Sequence, residues 1–119
     1  MRCQTILIVE DDVNIRETLK SLLELEGFAV FAAVNGQDGL NALKHITAPC
    51  LVLLDLLMPV MDGTEFLKVK SSDSVIATIP VCVVSAVADR TQAPGAVGYI
   101  KKPIDFDALL RFVRRYCGG

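Results

Sequence analysis

Two rhythms of apolar positions run through this chain. Thr5-Ile6-Leu7-Ile8-Val9, Leu51-Val52-Leu53-Leu54 and Val81-Cys82-Val83-Val84 are short, almost wholly apolar runs. Runs of that length predict strands buried on both faces, as in the middle of a parallel sheet. Phe28 to Val34 and Val97-Gly98-Tyr99-Ile100 add two further β-compatible segments. The segments between them follow a helical period. Ile15, Leu19, Leu22 and Leu23 recur at i, i+4, i+7 and i+8 and form one apolar face. Asp12 stands as an N-cap for that helix and Gly27 as its C′ residue. Asn35-Gly36 opens a second helix with Leu40, Leu43 and Ile46 inward, and Pro49 closes the unit. Met61-Asp62-Gly63 is turn chemistry before a short helix anchored by Phe66 and Leu67. Ser71 to Thr78 reads as a polar connection. A last helix starts near Asp105, its N-cap, and turns Leu109, Leu110 and Val113 inward.

Strands alternating with helices predict a parallel sheet with right-handed crossovers, an α/β doubly wound fold. Five strands fit the order 2-1-3-4-5. The segment from Ser85 to Lys102 is short for a full helix plus a loop, and Pro94-Gly95 falls inside it. Pro disfavours a helix interior and Gly weakens one, so the fourth crossover helix is expected to be a single turn or missing.

Composition narrows the picture further. The 119 residues suit one domain, 1–119, around a single core, and 52% are hydrophobic, which excludes a disordered chain. No apolar run approaches the roughly 18 residues of a membrane span. Met1-Arg2-Cys3-Gln4 leads at once into a strand, so no signal peptide is expected and the reading is cytoplasmic. A net charge of −2 without a basic stripe gives no nucleic-acid-binding role to this chain alone. Cys3, Cys50, Cys82 and Cys117 form no CxxC pair, and with one histidine, His45, a zinc site is not expected. They read as reduced thiols, and His45 as a solvated surface residue.

The candidate chemistry lies at the strand ends. Asp55 closes the central apolar run, where an unpaired buried carboxylate would cost several kcal/mol. It belongs at the carboxyl edge of the sheet, where open α/β folds hold ligands. The first strand ends at Glu10 and Asp11, the fourth at Ser85 and the fifth at Lys102, so these groups converge on the same edge. Several carboxylates in one pocket raise each other's pKa, and a hard divalent cation such as Mg2+ relieves the conflict. Such a pocket suits phosphoryl transfer, with a carboxylate as nucleophile and an ammonium neutralising the equatorial oxygens.

Over essentially its whole length the chain resembles the receiver domain of two-component response regulators. The matching signatures are Ile8-Val9-Glu10-Asp11-Asp12, Leu54-Asp55-Leu56-Leu57-Met58-Pro59 with Met61-Asp62-Gly63, Val84-Ser85-Ala86, and Tyr99-Ile100-Lys101-Lys102-Pro103. The resemblance implies a flavodoxin-like sheet and a signalling domain that catalyses only its own phosphorylation and dephosphorylation. It implies Asp55 as phospho-acceptor, and a Mg2+ site of Asp11 as direct ligand, Glu10 acting largely through water, Asp55 and the Leu57 carbonyl. Ser85 stands where the family has its switch hydroxyl, Lys102 where it has the phosphate-binding lysine, and Tyr99 where it has the mobile aromatic. Asp12 leaves a second register open, in which the acid pair begins one residue later; the Val-acid-acid order favours Glu10 and Asp11. The implied donor is a phosphohistidine on a sensor histidine kinase or phosphotransfer domain, with an unnamed downstream protein as target. A shortened fourth helix departs from the family's usual output face, so a monomer or weak dimer is expected.

Three other readings compete. A phosphatase of the haloacid-dehalogenase type needs a second acid two residues after the nucleophile, where Leu57 stands. A flavodoxin-like electron carrier needs a phosphate loop after the first strand, where three acids stand. A receiver fold that no longer takes phosphate is opposed by the acids, Ser85 and Lys102.

Overall fold

In a computed structural model of the chain, described over residues 5–46, 51–87 and 90–117, strands and helices alternate as the apolar rhythm predicts. The order is β1 (Thr5–Val9), α1 (Val13–Leu25), β2 (Ala29–Ala33), α2 (Gly36–Leu43), β3 (Leu51–Leu54), α3 (Gly63–Ser71), β4 (Val81–Ser85), β5 (Gly98–Lys101) and α4 (Phe106–Cys117). The sheet runs β2-β1-β3-β4-β5, and each pair is parallel. This is the doubly wound, flavodoxin-like order. It brings the carboxyl ends of β1, β3, β4 and β5 to one edge.

The strands bury both faces, in alternation. Ile6, Ile8, Leu51, Leu53, Cys82 and Val84 pack with Leu19 and Leu23 of α1 and Leu109 and Val113 of α4. Leu7, Val9, Val52, Leu54, Val81 and Val83 pack on the other side with Leu40 and Leu43 of α2 and Phe66 of α3. Each fully buried large apolar side chain contributes about 1.5–3 kcal/mol, which makes these three central strands the rigid base of the edge. The edge strand β2 differs from the reading of Phe28–Val34 as a uniformly apolar strand. It is shorter, and Ala29, Phe31 and Ala32 are exposed.

Helix ends follow their local chemistry. Asp12 accepts from the Ile15 amide at 3.0 Å. Gly27 ends α1 at φ 97°; its amide bonds the Glu24 carbonyl and that of Phe28 bonds Leu23, the paired closure that needs a left-handed residue. Asp62 caps α3 by accepting from the Glu65 amide at 2.9 Å and the Thr64 hydroxyl at 2.7 Å. Those bonds hold its carboxyl below the usual range. Asp105 accepts from the Ala108 amide ahead of α4.

The connection after α3 is less polar than its sequence suggests, because Ile76 is buried against Phe66 and Val81. Between β4 and β5 no helix forms among the described residues, and Gly95 takes φ 87° there. The missing-helix expectation holds for them, and four helices form among those residues. Cys82 and Cys117 are buried, and burial pushes the Cys82 thiol up to about 12. Cys3, Pro49 and Cys50 lie outside the described residues. His45 is exposed, with Nδ1 2.9 Å from the Asn41 carbonyl.

Candidate functional site

Asp55 follows the last residue of β3 and is 5% exposed. Its amide bonds the Val9 carbonyl, which ties the end of β3 to the end of β1. Gly63 lets α3 begin directly against this point. A Cβ there would come within 2.5 Å of the Asp55 carbonyl oxygen and 2.6 Å of Leu56 Cα. The glycine of the Met61-Asp62-Gly63 turn is therefore a steric requirement of the site.

The carboxylate is engaged on both oxygens. The Ser85 hydroxyl donates to Oδ1 at 2.6 Å and the Leu57 amide donates to the same atom at 3.1 Å. Lys102 Nζ donates to Oδ2 at 3.0 Å. Lys102 also reaches Glu10 Oε1 at 2.6 Å, so one ammonium bridges the acids of β1 and β3. Pairing by those acids outweighs the ammonium's own desolvation and raises the Lys102 pKa. Lys102 is set by its backbone, whose amide bonds the Ser85 carbonyl at 3.0 Å. Its peptide bond to Pro103 is cis.

Glu10 is 2% exposed and accepts from the Asp12 amide at 3.1 Å. Burial, with a smaller push from the Asp55 charge, moves its carboxyl up to about 7 against the pull of Lys102. Asp11 is exposed beside it. Carboxylate oxygens of Glu10, Asp11 and Asp55 all lie within 4.8 Å of one another. Three acids facing one ammonium leave an excess of negative charge, and the donors are all oxygen. The set fits a hard divalent cation such as Mg2+. Asp12 spends its side chain on the α1 cap, and the clustered acids are Glu10 and Asp11.

The structure thus gathers Glu10, Asp11, Asp55, Ser85 and Lys102, drawn from four strand ends, and adds the Leu57 amide. Tyr99 lies apart from them. It pairs in register with Val83 on β4, and its hydroxyl donates to the Ala93 carbonyl at 2.5 Å. Two arginines escape a sequence reading. Arg16 donates to the carbonyls of Glu10 at 2.9 Å and Asp11 at 3.2 Å, clasping the β1–α1 turn from one helical turn away. Arg90 lies over the Tyr99 ring, 4.9 Å from its centroid. Only the spacing of Arg16 from Asp12 could have hinted at the first; nothing local signals the second.

Known proteins are similar to this chain in sequence and fold. The chain matches the family model described as the response regulator receiver domain over residues 6–114. It is 33% identical over 119 residues to protein PilH of Pseudomonas aeruginosa, covering 96% of this chain and 98% of that protein. It is 34% identical over 116 residues to the transcriptional regulatory protein CrdR of Helicobacter pylori, covering 93% of this chain but 54% of CrdR; it spans about half the length of that relative. The response regulator protein TrrA of Thermotoga maritima, solved in complex with Mg2+ and BeF, superposes with a TM-score of 0.82 at 28% identity, covering 95% of this chain and 98% of that one. With its sheet order, its converging acids and a family match across residues 6–114, this chain belongs to the response regulator receiver domains of two-component signalling.

Proposed function

We propose that residues 1–119 act as a single receiver domain that takes a phosphoryl group onto Asp55 and then alters the surface it offers a downstream partner. The observation that carries this is the convergence of Ser85, Lys102 and the Leu57 amide on the two oxygens of one buried carboxylate, beside Glu10 and Asp11. The donor we assign is a phosphohistidine of a sensor histidine kinase or a phosphotransfer domain, as membership of the family implies.

Glu10, Asp11, Asp55 and the Leu57 carbonyl are the groups that would hold Mg2+, which when bound supplies charge neutralisation at the phosphoryl oxygens. An Asp55 oxygen attacks the phosphorus in line. The P–O bond forms as the P–N bond breaks, and the donor imidazole, protonated on its other ring nitrogen, takes the P–N electron pair and leaves as the neutral base. Lys102, within 3.0 Å of Asp55 and 2.6 Å of Glu10, offers a fixed ammonium to the incoming oxygens. The Ser85 hydroxyl exchanges its carboxylate acceptor for a phosphoryl oxygen. That exchange draws on Tyr99, whose hydroxyl bond to Ala93 must break for its ring to move inward. The chain needs no substrate besides its own donor and water, so it is a phospho-acceptor rather than an enzyme acting on others. No helix among the described residues is long and apolar enough to cross a membrane, and the assigned compartment is the cytoplasm.

The test is intact-mass measurement after incubation with acetyl phosphate, with and without Mg2+, for the wild type and Asp55→Asn. A Mg2+-dependent gain of one phosphoryl group, absent in Asp55→Asn, supports the proposal. No gain in the wild type, while a working receiver labels alongside, favours a pure interaction module.

A further inference from the structure

The crossovers through α1, α2 and α3 each cover part of the sheet with a helix, whereas the β4-to-β5 connection has none among its described residues. Its cover on the α2/α3 side is incomplete. Ala93 is fully buried against the core there, while Val97 stays exposed. A cavity of about 880 Å³ remains between α3, residues 77–81 and residues 92–97. That volume falls in the range of small-ligand sites. Leu67, Ile79, Pro80, Ala96 and Val97 give it apolar walls.

One charged group is built into this wall. Lys70 of α3 is 5% exposed, and its Nζ donates to the Ala77 carbonyl at 3.0 Å. Both residues line the cavity. An ammonium has three donors, and this bond uses one. Among the described residues Lys70 forms no ion pair, and no Asp or Glu lines the cavity. Burial without a counter-charge pulls its pKa below that of an ordinary lysine. Among the described residues no anion offsets the desolvation of this buried cation next to an apolar space.

We propose that this cavity binds a small amphiphilic monocarboxylate, with its carboxylate against Lys70 Nζ and its hydrocarbon body along Leu67, Ile79 and Val97. A monoanion matches the single buried charge; a dianionic phosphate ester would bring one charge too many into an apolar wall. Lys68, also on the lining, is exposed and adds only screened attraction. The ligand would touch the 92–97 segment, in which Ala93 holds the Tyr99 hydroxyl.

The experiment is an NMR titration of the full chain with octanoate, octanol and octylamine as probes. Octanoate is expected to shift the signals of Leu67, Ala77 and Val97 saturably, to move the Lys70 ε-methylene and to perturb Tyr99. Octanol and octylamine are expected to bind at least about tenfold more weakly, the loss of one favourable charge contact. Lys70→Met is expected to remove the preference for octanoate over octanol. Val97→Trp, which leaves Lys70 intact and fills the cavity from an exposed position, is expected to weaken both. Equal binding of octanoate and octanol to the wild type overturns the proposal. So does an octanoate affinity unchanged in Lys70→Met, or no saturable shift below the micelle concentration. An acidic peptide that shifts these signals where octanoate does not also overturns it, in favour of a protein partner.

Discussion

The Ser85 hydroxyl already lies 2.6 Å from Asp55 Oδ1 across thirty residues of sequence. The proposed switch hydroxyl and the proposed acceptor are therefore in contact before any phosphoryl group arrives. Ser85 has no other route to a phosphoryl oxygen than to give up this bond. Ser85→Ala removes the donor but leaves Lys102 and the Leu57 amide on Asp55. We expect labelling by acetyl phosphate to persist within about tenfold, while the change at Tyr99 on adding beryllofluoride and Mg2+ disappears. Tyrosine-ring NMR reads both states. A Tyr99 response that survives Ser85→Ala would detach the aromatic from the hydroxyl.

Lys102 bridges two acids that are almost wholly buried. Replacing it by Met leaves Glu10 and Asp55 facing each other without a cation. Stability of the metal-free protein at neutral pH should fall by on the order of 3 kcal/mol. Added Mg2+ should restore part of that loss, because the acids alone form a stronger cation site without Lys102. Urea unfolding in EDTA and in excess Mg2+ measures both effects. A variant equally stable in EDTA would show that the bridge contributes nothing net.

Once phosphorylated, Asp55 should lose its phosphoryl group slowly. Leu57, 55% exposed at the mouth of the site, and Val87, half-buried two residues after Ser85, offer no hydrogen bond to an attacking water. Leu57→Asn supplies one and should speed decay by roughly tenfold. Intact-mass time courses after removal of the phosphodonor give the rates. Rapid wild-type decay that slows in Leu57→Asn would contradict this account.

The parts of the fold that follow from local chemistry were legible from the residues alone. The buried runs of β1, β3 and β4, the Asp12 and Asp105 caps and the Gly27 terminus each have a cause within a few residues. The convergence of Glu10, Asp55, Ser85 and Lys102 followed from the parallel order, which puts strand ends on one edge. What was hidden depends on partners remote in the chain. Nothing local to Lys70 marks it as buried; the 73–79 turn folds over it. Arg114 reads as part of a solvated helix face, yet it pairs with Glu26 at the end of α1, 88 residues away. Phe31 reads as core, but β2 is an edge strand and leaves it exposed.

Glu10 gives the metal-free protein an inverted pH response. Its carboxyl titrates near 7 in the fold and near 4.5 in the unfolded chain. Between those values the folded state keeps a proton that the unfolded state has released. Stability therefore falls as pH rises through the window and is lowest above about 7. Lys102 does not blur the trend, since its raised pKa leaves it charged throughout. We expect a loss on the order of 2 kcal/mol between about pH 5 and pH 8, flattened in Glu10→Gln. Urea midpoints in EDTA test it, and a wild-type midpoint that rises with pH would refute it.

Val60 takes φ 68° between Pro59 and Met61, with its side chain 81% exposed. A β-branched residue in the left-handed region costs about 1–3 kcal/mol, and no buried contact offsets it here. Glycine adopts the same conformation without a Cβ clash, although it gives the unfolded chain about 1 kcal/mol more entropy to lose. The balance favours Val60→Gly by on the order of 1 kcal/mol. Val60→Ile, which keeps the branch, should leave stability unchanged. Because the turn lies between Leu57 and the α3 cap at Asp62, the phosphorylation rate of Val60→Gly measures what the strain does. An unchanged rate with a higher unfolding midpoint makes Val60 a pure stability cost. A slower rate means that the strained turn holds Leu57 and Asp55 in position for the donor.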